Sequence, residues 1–107
     1  MKRVYVAGPY TKPDPCENTH KAVAAANRLR DAGLVPFIPH LTLLWHAITP
    51  RTYEFWMAYD FEWLEMCDAL LRLPGESAGA DREVELANKL GIPVFHSEQE
   101  LIEAVTR

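Results

Sequence analysis

The sequence has little of what metal, redox and nucleotide-triphosphate sites require. Its 107 residues include two cysteines and five glycines, and neither GxGxxG nor GxxxxGKS/T occurs, so the usual dinucleotide and NTP fingerprints are excluded. Cys16 and Cys67 stand in no metal-binding or redox spacing, and free thiols indicate a reducing compartment. The four histidines also lack the spacing of a metal site. The sequence therefore predicts neither a metal ion nor a cofactor.

Strong charge of one sign and long apolar runs are missing as well. The net charge is only −4 and no cluster of Lys and Arg occurs, which argues against a nucleic-acid partner. No apolar stretch approaches the roughly 18 residues of a membrane span. The apolar run near the N-terminus is too short for a signal peptide. We therefore expect a cytoplasmic protein that has no membrane partner.

The hydrophobic pattern that is present predicts an α/β fold. Residues 1–107 suit a single domain, and 49% of them are hydrophobic. Strands are predicted at residues 4–7, 34–39, 69–73 and 92–95, and residues 40–52 are predicted to be a loop. Helices are predicted at residues 17–32, 53–67 and 79–90, and after the capping box of Ser97 and Glu100.

This alternation of strands and helices predicts a flavodoxin/Rossmann-like three-layer sandwich around a roughly four-stranded parallel sheet. In such sheets ligands bind beyond the carboxyl ends of the strands. Two loops form that edge here: GPYTKP after the first strand and PGESAG after the third. We therefore expect a binding site between these two loops.

The stretch LPGESAGADREVELANKLGIPVF, residues 73–95, places three acids near the start of a predicted helix. Acids are ordinary there, because they complement the partial positive charge of the helix N-terminus. At about 3.6 residues per turn, Asp81 and Glu85 fall on the wet side, whereas Glu83 falls within the apolar arc. A core-facing carboxylate is costly unless it is paired, hydrogen-bonded or at a cavity. Glu83 either holds the loop as a structural acceptor or is placed for chemistry.

The helix predicted at residues 53–67 shows the same anomaly. Asp60 is the only acid on its apolar arc, among Tyr53, Trp56, Met57, Trp63, Leu64 and Cys67. Two carboxylates on the wrong faces of two helices suggest one shared site, where burial and like charge push their pKa values apart. The alternative for Asp60 is a structural role, either as a cap or in a pairing with Arg51 or Arg28.

These features resemble the nucleoside 2-deoxyribosyltransferase-like superfamily. The resemblance rests on VYVAGPY, on Asp60 before the CDALLRLPG strand, and on SAGADREVELA, and it is strongest at Gly79 and at Glu83-x-x-x-Ala87. The chain looks most like the small members of the DUF4406 kind, which are related to deoxynucleoside monophosphate N-glycosidases. The resemblance implies an enzyme that acts on a nucleoside or a nucleotide.

The resemblance also implies roles for three residues. Glu83 would be the nucleophile that attacks C1′ and displaces the base, passing through a transition state like an oxocarbenium ion. Tyr5 would hydrogen-bond and orient Glu83, although a core aromatic is its alternative. Asp60 would contact the base or help to protonate the leaving nitrogen. The helix N-terminus is expected to keep Glu83 ionised.

Five further residues are expected to bind substrate. Gly8, Pro9 and Tyr10 would line the sugar or base end of the pocket. Ser77 and Gly79, with the free amides of the helix start, would form an anion seat. A phosphate bound there would make the substrate a nucleoside 5′-monophosphate.

The chain departs from the deoxyribosyltransferase pattern at two points. Ser77 stands where those enzymes often have a further aspartate, six residues before the nucleophile. No counterpart is visible near Arg107 of the C-terminal Asn segment with which a neighbouring subunit completes their pocket. Hydrolysis, or a different glycosyl substrate, is therefore expected at least as much as base transfer.

Other functions stay open from the sequence. The same pocket would also suit a non-catalytic nucleotide- or anion-binding module, and the aromatic-rich residues 41–66 would suit the interface of an oligomeric structural protein. We expect a homo-oligomer in either case. His40 and His46 could reach a substrate but are expected in loop or surface roles. The three tryptophans, of which one could stack on a base, are expected in the core or at a subunit contact: Trp45, Trp56 and Trp63.

Overall fold

A four-stranded parallel sheet forms the centre of the protein in a computed structural model that describes residues 2–106. The strand order is β2-β1-β3-β4, and all three pairings are parallel. The strands are β1 (Arg3–Ala7), β2 (Val35–Phe37), β3 (Ala69–Arg72) and β4 (Val94–Phe95). The predicted parallel sheet is thus confirmed.

Helices cover both faces of the sheet, as the alternating pattern predicts. They are α1 (Pro15–Asp31), α2 (Thr42–Ile48), α3 (Tyr53–Leu64), α4 (Ala78–Leu90) and α5 (Glu98–Val105). Helices α1 and α5 pack on one face, and α3 and α4 pack on the other. The three-layer sandwich is therefore confirmed.

Strand β1 shows how the two layers are divided. Its residues 4–7 are all buried, and alternate side chains point to opposite faces of a sheet. Val4 and Val6 join the apolar cluster under α1 and α5. Tyr5 and Ala7 join the cluster under α3 and α4, so the phenol of Tyr5 points to the layer that contains both unusual acids.

The prediction of a loop at residues 40–52 is wrong in part. The structure has a 3₁₀ turn at Pro39–Leu41 and then helix α2. None of the α2 residues is buried, and no side chain caps its N-terminus. A helix without an apolar stripe on the core and without a capping residue carries neither of the signals from which a sequence predicts one.

None of the helices within residues 2–106 is both long enough and apolar enough to cross a bilayer.

Candidate active site

A cavity of about 660 Å³ opens at the carboxyl edge of the sheet. This volume lies within the range of about 300–1,000 Å³ that is usual for small-molecule sites. Its walls come from the loop after β1, the segment from residue 39 to α3, and the start of α4. Six predicted site residues line it: Gly8, Tyr10, Asp60, Ser77, Gly79 and Glu83. Tyr5 and Pro9 are not part of the lining.

Glu83 and Tyr5 meet at the inner wall of this cavity. Glu83 is 5% exposed and lies in the second turn of α4, and Tyr5 is fully buried beneath it. The Tyr5 hydroxyl donates a short hydrogen bond to Glu83 Oε2. Tyr5 therefore contacts Glu83 from the core side, while Glu83 itself faces the cavity.

The protonation state of Glu83 differs from the sequence-based expectation. Burial raises the pKa of Glu83 to about 8, and the nearby Asp60 raises it too, against the lowering effect of the Tyr5 hydrogen bond. The field of a helix terminus falls off within the first turn, and Glu83 lies beyond that turn. Burial therefore outweighs the helix N-terminus and favours the protonated form of Glu83.

Asp60 is a second buried carboxyl group on the same cavity. It is 9% exposed, and its Oδ1 atom is buried with no hydrogen-bond partner among the described residues. The alternative pairing with arginine does not occur, because Arg28 pairs with Glu98 and Arg51 lies over the Phe55 ring. Burial raises the pKa of Asp60 to about 7. An unpaired buried carboxyl group is costly to the fold, so it is a candidate for contact with a ligand.

The loop after β1 is held from behind by the amide of a buried asparagine. Asn18, on α1, donates to the backbone oxygens of Tyr10 and Lys12 at 3.0 and 2.9 Å. Both of the residues that it holds line the cavity. Asn18 thus fixes the shape of this wall without touching the cavity.

Pro9 lies in the same loop but faces away from the cavity. Its ring packs against Gly75, where an added Cβ would come within 2.8 Å of Pro9 Cγ. Its carbonyl oxygen lies 2.9 Å from Nε2 of His40. Pro9 therefore joins the two loops that were predicted to form the site, and it reaches the cavity only through His40.

Arg72 holds the second loop and was not among the residues predicted from the sequence. This 9% exposed side chain donates to the Leu73 oxygen, to the Gly75 oxygen at 2.9 Å and to Asp81 Oδ1 at 3.1 Å. It ties residues 73–75 to the first turn of α4. The available signal was an arginine at the end of an otherwise apolar buried strand, because such a charge needs fixed partners.

The predicted anion seat lies at the start of α4. The Ser77 hydroxyl caps the helix by accepting from the Ala80 amide at 3.0 Å. Gly79 lies close to Tyr53, because a Cβ at Gly79 would come within 3.1 Å of the Tyr53 hydroxyl oxygen. Ser77 and Gly79 both line the cavity.

Several cavity residues were not predicted as site residues. His40 was expected in a loop or surface role, but it is 2% exposed and lines the cavity, and His46 lines it too. Trp56 contributes the aromatic wall that was considered for one of the tryptophans. Within residues 2–106 no group of three or more His, Cys, Asp or Glu side chains is placed to hold a metal ion.

Solved structures with this fold include two named 2-deoxyribosyltransferases. The enzyme from Bacillus psychrosaccharolyticus is 22% identical with a TM-score of 0.60, and the match covers 86% of this chain and 69% of that one. The 2-desoxiribosyltransferase from Leishmania mexicana is 20% identical with a TM-score of 0.66, covering 89% and 63%. A conserved protein from Enterococcus faecalis V583 is 19% identical with a TM-score of 0.67, covering 88% and 61%.

The chain therefore spans between 61% and 69% of the length of these three proteins. At such identities the comparison shows a shared fold. Among curated proteins, none matches the sequence.

A family model provides the assignment that curated proteins do not. The model described as "Domain of unknown function (DUF4406)" matches residues 2–96, which is most of the 107-residue chain. This match and the shared fold confirm the resemblance that was found in the sequence motifs. The chain belongs to the DUF4406 family, and its fold is that of the 2-deoxyribosyltransferases.

Proposed function

We propose that the protein cleaves the N-glycosidic bond of a nucleoside or a nucleoside 5′-monophosphate, with Glu83 as the nucleophile. The observation that carries the proposal is the pair of buried carboxyl groups on one cavity. One is held by the Tyr5 hydroxyl and the other has a partnerless oxygen. Their pKa values of about 8 and about 7 lie close to neutral pH, where groups that exchange protons work best. The named activity of two proteins with this fold agrees with the proposal.

The first step requires Glu83 as a carboxylate and Asp60 as an acid. Glu83 attacks C1′ of the sugar while the bond from C1′ to the base nitrogen breaks, and Asp60 gives its proton to the leaving base. The product is an ester of Glu83 with the sugar. Tyr5 donates to Oε2 throughout, which leaves Oε1 to form the new bond. Because the two carboxyl groups repel each other when both are ionised, the reactive form carries one proton between them.

The second step regenerates both groups. Water attacks C1′, the bond from C1′ to Glu83 breaks, and the Asp60 carboxylate accepts a proton from that water. The net reaction is hydrolysis to a free base and a free sugar or sugar phosphate. If a second base attacks C1′ in place of water, the net reaction is base transfer.

The charges at the mouth of the cavity favour an anionic substrate. Lys12 and Arg51 line the cavity with the start of α4, whereas Glu76 is the one carboxyl group in the lining besides Asp60 and Glu83. The raised pKa values reduce the negative charge of those two inner carboxyl groups at neutral pH. A 5′-phosphate would be attracted by the two cations and by the free amides at Ser77 and Gly79.

The test measures, by liquid chromatography, the release of free base from a panel of nucleosides and nucleoside 5′-monophosphates. Glu83→Gln should reduce the rate by a factor of about 10³ or more, because the amide cannot form the glycosyl ester. Glu85→Gln makes the same chemical change on the exposed side of the same helix, and it should retain the wild-type rate. Equal rates for wild type and Glu83→Gln would overturn the role of Glu83.

A non-catalytic binding module is the second candidate, and the pKa of Glu83 favours it. A carboxyl group whose raised pKa favours the protonated form can hydrogen-bond a nucleotide without attacking it. This candidate predicts tight binding with no free base released over hours.

An oligomeric structural role is the third candidate. Many large apolar side chains on α2, α3 and their flanks are exposed: Leu41, Leu44, Trp45, Ile48, Tyr53, Phe55, Trp63 and Met66. We propose that this surface mediates self-association. Light scattering over a range of protein concentrations tests it, and a strict monomer would count against it.

A further inference from the structure

His40 is held in one tautomer by the loop that it supports. Its Nε2 atom lies 2.9 Å from the Pro9 carbonyl oxygen, which can only accept, so Nε2 carries the hydrogen. Burial lowers the pKa of His40 and keeps the ring neutral, although the Pro9 and Gly8 carbonyls act in the opposite direction. The other nitrogen, Nδ1, is then an acceptor. It is buried and has no hydrogen-bond partner among the described residues.

His46 is held in the opposite tautomer. Its Nδ1 atom lies 2.8 Å from the indole nitrogen of Trp56 and 3.2 Å from the backbone nitrogen of Arg51. Both of these groups only donate, so Nδ1 carries a lone pair and accepts from them. In the neutral ring the hydrogen must then be on Nε2. His46 therefore has a donor left over, where His40 has an acceptor left over.

Both histidines line the same cavity, and each has an aromatic neighbour that also lines it. The ring centroid of Tyr10 lies 6.1 Å from that of His40, and the ring centroid of Trp56 lies 5.9 Å from that of His46. Aromatic faces accept planar bases by stacking. The cavity lining thus includes two aromatic side chains and two histidines in opposite tautomers.

We propose that His40 and His46 read the hydrogen-bonding edge of the nucleobase, an inference that rests on the proposed function. His40 Nδ1 accepts from an N–H group of the base, and His46 Nε2 donates to a carbonyl oxygen or ring nitrogen of the base. His40 Nδ1 exposes almost no surface, so contact with the base requires a small rotation of the ring towards the cavity. The preferred substrate is therefore a nucleoside or nucleotide whose base presents both a hydrogen-bond donor and a hydrogen-bond acceptor.

The sheet topology explains why the base, and not the sugar, meets these residues. Attack by Glu83 requires C1′ to lie against α4, which follows β3 in the chain. The two histidines follow β2, which lies on the other side of β1 from β3. A nucleoside whose C1′ is at Glu83 can extend its base across the end of β1 to the histidines.

Two substitutions each remove the ring nitrogen that has no internal hydrogen bond while keeping the hydrogen bond of the other nitrogen. In His40→Gln the amide nitrogen can still donate to the Pro9 oxygen, but the Nδ1 acceptor is lost. In His46→Asn the amide oxygen can still accept from Trp56, but the Nε2 donor is lost. His96 is exposed and lies outside the cavity, so His96→Asn is the matched control. All three are made in the Glu83→Gln background, so that ligands are not consumed.

Calorimetry then measures binding of matched ligands built on the nucleoside or nucleotide that binds best. In one ligand variant the N–H group of the base is replaced by N-methyl. A second variant lacks the hydrogen-bond acceptor of the base, and a third lacks the 3′-hydroxyl of the sugar. His40→Gln should weaken binding of the parent ligand about fivefold to tenfold, the effect of one hydrogen bond. It should leave the N-methyl ligand unaffected. His46→Asn should likewise weaken binding of the parent ligand and leave binding of the ligand that lacks the base acceptor unchanged. His96→Asn should change the binding of none of these ligands.

Nitrogen NMR of the imidazole rings tests the tautomers without any ligand. Protonation of His40 on Nδ1, or of neutral His46 on Nδ1, would overturn the proposal whatever the enzyme does. If ligands bind but both variants keep the wild-type discrimination, or lose discrimination only at the sugar hydroxyl, base reading is wrong while base release by Glu83 stands. If no nucleoside or nucleotide binds, both this proposal and the proposed function are overturned.

Discussion

The two faces of the sheet share the central strand β1 and differ in the ionisable side chains that they bury. Under α1 and α5 the buried cluster is entirely aliphatic, with Val4, Val6 and Leu71 at its centre. Under α3 and α4 the buried residues include Tyr5, and the same layer holds Glu83 and Asp60. The first face stabilises the fold. The second face buries carboxyl groups, which destabilise the fold. This difference indicates that the chemistry takes place on the second face.

The largest effect expected on the polar face is on the rate. Asp60→Asn should lower base release by about 10²–10⁴-fold, because the amide cannot give a proton to the leaving base. Glu62→Gln changes an exposed acid on the same helix and should leave the rate as it is. The measurement is steady-state release of base at neutral pH. An unchanged rate in Asp60→Asn would remove Asp60 from the mechanism.

On the aliphatic face the same kind of test should change stability and leave the pH dependence alone. Leu71 is 1% exposed in the cluster under α1 and α5, and Leu71→Ala should lower the free energy of unfolding by about 2–5 kcal/mol. The loss should be equal at pH 5 and pH 9, which chemical denaturation can show. Leu44→Ala, at a position that is 69% exposed, is the control and should cost little. A loss that varied with pH would mean that the two faces are coupled.

Glu83→Gln should act on stability in the opposite sense. The folded pKa of Glu83 is about 8 against an ordinary 4.5, so between these values the folded state binds more protons than the unfolded state. Stability therefore falls as pH rises from about 4.5 to about 8 and stays low above it. The substitution should remove the part of this slope that Glu83 contributes, while the part from the raised pKa of Asp60 remains. It should stabilise the protein at pH 9 by about 1–4 kcal/mol, less the effect of the altered Tyr5 hydrogen bond.

Denaturation of both proteins at pH 5 and pH 9 measures that difference. Glu85→Gln, which changes an exposed carboxyl group on the same helix, should keep the wild-type slope. A wild-type slope in Glu83→Gln would show that Glu83 is ionised in the folded protein at neutral pH.

The sequence predicted most of this architecture, because its signals are local. The apolar runs and the 3.6-residue period located the strands, α1 and α4, and helical phase alone separated Glu83 from Asp81 and Glu85. Helix α2 was missed because its stability does not come from an apolar stripe on the core. The raised pKa of Glu83 was also missed, since it depends on burial by residues distant in sequence. His40 could not be recognised because its partner, the Pro9 carbonyl, is backbone and lies 31 residues away.

The smallest effect is expected at Arg72, which is a buried charge that belongs to neither cluster. Its guanidinium holds the loop after β3 and Asp81, and its charge lowers the pKa of Glu83. Arg72→Gln should therefore raise the pKa of Glu83 further and move the rising limb of the pH–rate profile upward by less than about one pH unit. Asp81→Asn breaks one of the same contacts but removes an anion. The rising limb of its pH–rate profile should therefore stay in place or move to lower pH. Carbon NMR titration of the Glu83 carboxyl group gives the same answer without turnover. An upward shift of this limb in both variants would mean that the geometry of the loop, and not the charge of Arg72, sets the pKa of Glu83.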